Sequence, residues 1–104
     1  MPKVFFDSIK CHETTSGAGD DTVAVWFRGE QMFGSEMKGG RHRNIHRRRE
    51  FDSPEKVWVK EVDAGSDDLI GTFFVTSDQI GHGTQVQTMM GDGSHYDLFY
   101  VVEP

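Results

Sequence analysis

Apolar residues along this chain either alternate with polar ones or gather in short runs, and Gly, Asp and Ser separate the runs. A period of two is the signature of strands, and the spacing of an amphipathic helix is hard to find in any window. The pattern predicts strands near Lys3–Cys11, Thr22–Arg28, Glu30–Phe33, Arg43–Phe51, Lys56–Val62, Gly71–Thr76, Thr84–Met90 and His95–Val102. In the last of these, Tyr96, Leu98, Tyr100 and Val102 share one face, and Asp97, Phe99 and Val101 share the other. Eight short strands joined by polar turns predict an all-β, eight-stranded antiparallel β-sandwich.

Length and composition narrow this further. With 104 residues and no internal repeat or linker, the chain is expected to form one domain over 1–104. Aromatic residues make up 12%, eight of them Phe, so a few large rings can fill a thin core. Trp26 and Trp58 are expected to pack there as well; the alternative is an exposed contact surface around them. The single Cys11 excludes an intrachain disulfide. No apolar run is long enough for a signal peptide or a membrane span. The expected location is cytoplasmic or peripheral to a membrane, with export by a route that needs no signal left open.

If successive strands alternate up and down, the connections after the first, third, fifth and seventh emerge at one end. Three of these, residues 12–21, 63–70 and 91–94, carry Glu13, Asp20, Asp21, Asp63, Asp67, Asp68 and Asp92. Carboxylates gathered this closely raise one another's pKa unless a cation intervenes. Ca²⁺ takes six to eight oxygens in irregular geometry, which flexible Gly-containing loops suit. The local spacing is not that of an EF-hand. The plain alternative is a set of solvated turns in which Asp braces backbone amides.

Charge is also divided along the chain. The formal net charge is −6, yet "RHRNIHRRR" at 41–49 holds five Arg and no acid. Removing those five from the 11 bases leaves 6 against 17 acids, a balance of −11 for the other 95 residues. Arg41, Arg43, Arg47, Arg48 and Arg49 are candidates for contact with an anionic phospholipid surface or an acidic protein partner. The same run also suits an edge strand, where positive charge blocks sheet-to-sheet aggregation. Nucleic acid is disfavoured, because no aromatic residues interleave with the arginines and the rest of the chain is acidic.

Two stretches carry a family likeness. "VWVKEVDAGSDDLIGTFFV" resembles the third calcium loop of C2 domains, in which acidic residues follow an apolar strand and precede an apolar-Ile-Gly exit. Glu61, Asp63 and Asp68 fill those slots, with "LIG" after them. "GAGDDTVAVWF" is similar to the first loop of that family, with Thr22-Val23 where Pro-Tyr is usual. The resemblance implies a C2-like calcium-binding module with Asp21, Glu61, Asp63 and Asp68 as ligands and Asp20 and Asp67 as adjuncts. It implies a calcium cofactor and docking onto an anionic surface, helped by the Arg run. The rival from another class is a metal-independent structural or protein-interaction sandwich.

Other chemistry finds less support. Cys11, His12, His42, His46, His82 and His95 are potential Zn²⁺ ligands, but no CxxC or HExxH spacing joins them. Cys11 and His12 are adjacent on a strand and so point to opposite faces, which rules out a dyad. With no nucleophile elbow, P-loop or paired-carboxylate hydrolase pattern, the expectation is a non-enzyme.

Overall fold

All eight expected strands form in the structure, a computed structural model that describes residues 1–15, 19–63 and 65–104. They are β1 (Lys3–Glu13), β2 (Asp21–Phe27), β3 (Glu30–Met37), β4 (His42–Glu50), β5 (Glu55–Asp63), β6 (Ser66–Val75), β7 (Thr84–Met89) and β8 (His95–Glu103). Short 3₁₀ turns lie at Ser77–Gln79 and Gly91–Gly93. Two four-stranded sheets result, in the orders β4-β1-β8-β7 and β3-β2-β5-β6, and every pairing is antiparallel. The all-β sandwich expected from the pattern is the fold.

Alternation explains the core. Tyr96, Leu98, Tyr100 and Val102 of β8 are all buried, facing Val23, Val25 and Phe27 of β2 and Val57 and Val59 of β5 in the opposite sheet. Phe27 meets Phe6 and Phe51 edge-on at 5.3 and 6.0 Å. Burying these side chains removes apolar area from water, which is the main favourable contribution to folding.

Parity holds as well. β2 pairs with β5 so that Val23 faces Glu61, and β1 pairs with β8 so that Glu13 faces His95. Cys11 N donates to Arg41 O, and Gly40 N donates to Cys11 O, which ties the turn before β4 to the end of β1. The connections after β1, β3, β5 and β7 therefore lie at one pole. No helix among the described residues is long and apolar enough to cross a membrane.

Three expectations change. β3 runs on to Met37, because its later residues pair with β2 down to Asp21. Residues 63–70 are not a loop: the β5–β6 ladder continues to Asp63 opposite Ser66, and Gly65 turns the chain at φ 109°. Trp26 and Trp58 are not core residues, because the inward positions of β5 belong to Val57 and Val59. Trp58 lies between Trp26 and Thr72 on the outer face, 38% exposed, with the Lys56 ammonium 4.6 Å from its ring.

Candidate metal centre

Glu61 near the end of β5 and Asp68 near the start of β6 are direct cross-strand neighbours. Like charges placed opposite each other destabilise a ladder. A bulge creates this juxtaposition. Val59 pairs with Gly71 and Lys60 with Leu69, so Ile70 is an extra residue in β6. The insertion shifts the phase of β6, as bulges do. Asp68 then shares a face with Glu61, and Leu69 turns outward, 48% exposed. Without the bulge the apolar Leu69 would occupy the inner face and Asp68 would point to solvent.

Glycine makes room for the bulge on two sides. A Cβ on Gly71 would stand 2.5 Å from Met89 Cγ, and one on Gly91 would press into the carbonyl oxygens of Leu69 and Ile70. The turn at Gly91–Gly93 therefore packs backbone to backbone on the bulge. The β7–β8 connection is thereby seated beside the acidic hairpin, with Asp92 exposed at φ 54°.

The convergent group is Glu61, Asp63 and Asp68, one oxygen of each lying within 4.8 Å of the other two. Two ligands at about 2.3–2.6 Å from one Ca²⁺ can stand at most about 5 Å apart, so one ion can reach all three. Glu61 is buried, Asp68 half-buried and Asp63 exposed. Burial, then the charge of Asp63 and those of Asp21 and Asp68, push the Glu61 carboxyl above its ordinary range; a hydrogen bond from the Thr22 backbone opposes them. A carboxylate in this setting is stabilised by a proton or by a cation.

Asp21 has a different setting. It is 3% exposed, and its carboxylate accepts bonds from Thr15 N at 2.8 Å, Thr15 Oγ1 at 2.6 Å and Tyr96 Oη at 2.6 Å. These bonds anchor the chain on both sides of the first loop. No motif marks Thr15 or Tyr96 as a partner of the site. The only signal in the sequence is that Tyr96 sits on the inward face of β8 at its polar end. Asp20 is exposed just before β2, and Asp67 is exposed opposite Val62. Of the six expected ligands, three converge, Asp21 lies close enough to raise the Glu61 carboxyl, and Asp20 and Asp67 stand outside the group. Gly17 and Ala18 of the first motif and Ala64 of the second lie outside the described residues.

The Arg run forms β4, an edge strand. Arg48 donates to both Glu103 oxygens at 2.6 and 3.3 Å, and Arg49 to both Glu30 oxygens at 2.8 and 3.3 Å. These forks hold the Glu103 and Glu30 carboxyls below the usual range. Arg41, Arg43 and Arg47 make no ion pair among the described residues. Two of the five arginines are thus paired internally among the described residues.

Histidine spacing along the chain shows no zinc pattern, yet folding brings two of the histidines together. His12 and His95 stand with rings 4.4 Å apart, and His12 Nε2 lies 2.8 Å from Asp97 Oδ2, 85 positions away in sequence. Separation on that scale is why the spacing carries no hint.

Comparison with known proteins agrees with the fold. No family model and no curated protein sequence matches the chain. A solved structure described as a C2 domain superposes with a TM-score of 0.60 at 14% identity, covering 100% of this chain and 99% of that one. A structure of two C2 domains, A and B, of Extended-Synaptotagmin 2 gives a TM-score of 0.57 at 12% identity, over 98% of this chain and 39% of that one. The chain has a C2-like fold.

Proposed function

We propose that residues 1–104 form a calcium-binding, non-catalytic C2-like module that docks onto an anionic membrane surface through its loop pole and its Arg-rich strand. The observation that carries this reading is the convergence of Glu61, Asp63 and Asp68 within 4.8 Å at the pole that parity assigns to the acidic connections. These three are the principal ligands. Asp21 completes the inner wall, and Asp20 and Asp67 are adjuncts that approach as the ion orders the neighbouring backbone.

The physical logic is charge reversal. Without an ion the pole is strongly anionic and repels an anionic surface. Ca²⁺ neutralises the facing carboxylates and leaves coordination positions for lipid phosphate oxygens. Arg41, Arg43 and Arg47 then add attraction that falls with ionic strength. Sedimentation with phosphatidylserine vesicles, with Ca²⁺ or with chelator, tests the reading. Calcium-dependent co-sedimentation is the expected result. Equal binding with chelator, or none with calcium, overturns it, and the second outcome with retained calcium affinity points to an acidic protein partner.

A further inference from the structure

We propose that His12, His95 and Asp97 form a second cation site, for a divalent transition metal of the Zn²⁺ class, on the outer face of the β4-β1-β8-β7 sheet. This site does not rest on the calcium reading. It lies on the other sheet from Glu61, Asp63 and Asp68, and its donors are of a different kind.

The placement follows from the ladder. On β8, His95 and Asp97 alternate with the fully buried Tyr96, so both project outward. On β1, Cys11 pairs with Tyr96 and Glu13 with His95, which leaves His12 as the extra residue of a bulge. Bulges of this kind re-aim a side chain. Here the bulge directs His12 across the ladder, and one ligand atom from each of His12, His95 and Asp97 lies within 4.8 Å of the others. Cys11 and Tyr96 are buried opposite each other, so His12 faces outward on the same side as His95 and Asp97.

The donor set specifies the ion class. Two imidazole nitrogens and one carboxylate oxygen suit Zn²⁺ and its neighbours, whereas Ca²⁺ and Mg²⁺ prefer oxygen alone. Ligands at about 2.0–2.1 Å on a tetrahedral ion stand about 3.3 Å apart. The 2.8 Å contact between His12 Nε2 and Asp97 Oδ2 would open to that distance, and the wider separations in the group, all within 4.8 Å, would close to it. Thr88 Oγ1 donates to Asp97 Oδ1 at 2.6 Å and fixes the carboxylate with its other oxygen toward the histidines. Such support of a ligand by an outer hydrogen bond is typical of metal sites. A fourth position is left for water or an external ligand.

The test uses the whole chain in two arms. In the first, Zn²⁺ is added to the wild-type protein and the histidine ring signals are followed by NMR. The His12 and His95 signals are expected to move together over the first equivalent, with His46 and His82 unmoved. Movement of all histidines alike, or of neither His12 nor His95, overturns the site. In the second, Zn²⁺ affinity is measured calorimetrically for His95→Gln and Asp63→Asn, both at exposed or half-exposed positions. His95→Gln is expected to weaken binding at least tenfold and Asp63→Asn to leave it unchanged. The reverse pattern would place the Zn²⁺ in the acidic hairpin and defeat the proposal. Since the NMR arm needs no variant, loss of folding in His95→Gln would still leave a decisive result.

Discussion

Tyr96 Oη donates a 2.6 Å hydrogen bond to Asp21 Oδ2, joining the start of β8 in one sheet to the start of β2 in the other. Both residues are buried, and the same carboxylate also holds the backbone and hydroxyl of Thr15. The contact bridges the two sheets at the acidic pole and secures both ends of the first loop.

Removing Asp21 would leave three donors stranded. An unsatisfied buried donor costs about 1–3 kcal/mol, so Asp21→Ala is expected to lose about 3 kcal/mol or more in urea unfolding. Tyr96→Phe leaves Asp21 with its two bonds from Thr15 and is expected to cost about 1 kcal/mol. Equal losses for the two variants would contradict the bonding pattern.

The same bond sets an alkaline limit. Burial first, then the hydrogen bond to Asp21, pushes the Tyr96 phenol far above its ordinary range. A raised pKa means that the native state keeps its proton where the unfolded state loses it. The stabilisation is complete below about pH 10 and declines as pH rises beyond the ordinary phenol value. Stability of the wild type is expected to fall above that pH, and Tyr96→Phe to show a shallower decline in alkaline unfolding titrations.

Glu61 has the corresponding consequence nearer neutrality. Its carboxyl is raised by burial and by Asp63, so the native state binds the proton more tightly than the unfolded chain. Stability contributed by this group falls as pH rises above the ordinary carboxylate range. Glu61→Gln keeps the shape and removes the charge, so its melting temperature without calcium is expected to rise by about a few degrees. Its response to calcium should shrink at the same time. A lower melting temperature without calcium would show that the charged carboxylate is favourable where it stands.

The arginines divide into two groups. Arg48 and Arg49 are engaged by Glu103 and Glu30, whereas Arg41, Arg43 and Arg47 make no ion pair among the described residues. Each basic residue near an anionic membrane contributes about 1 kcal/mol, so replacing the latter three by Ala is expected to weaken vesicle binding about a hundredfold. Replacing Arg48 and Arg49 should have a smaller effect per residue. Equal losses per residue in co-sedimentation would indicate that the internal ion pairs open on docking.

Much of this architecture is legible in the chain itself. Period-two alternation locates strands such as β2, β5 and β8, whose one buried face imposes it, whereas β4 buries only Ile45 and is marked by its turns and charge; parity places the acids at one pole. The bulges are not legible. A single extra residue at Ile70 decides whether Asp68 or Leu69 faces Glu61, and the composition of the strand is compatible with either phase. Gly71 and Gly91 mark the place, but only the proximity of Met89 and of the bulge carbonyls shows why glycine is needed there. The Trp positions mislead for a related reason. Trp26 and Trp58 follow the alternation faithfully, but they fall on the outer face of their strands, and their size suggests the core. His12, His95 and Asp97 meet only through pairing of the first strand with the last.

The most direct measurement is a thermal melt of the wild type, Asp63→Asn and Asp68→Asn, each with saturating Ca²⁺ and with chelator. Binding confined to the native state at a hundred times Kd stabilises it by about 2.7 kcal/mol. For a domain of this size that is a rise of about 10 °C or more. The account predicts such a rise for the wild type and a much smaller one for both variants; an unchanged wild-type melting temperature, or an undiminished rise in both variants, would contradict it.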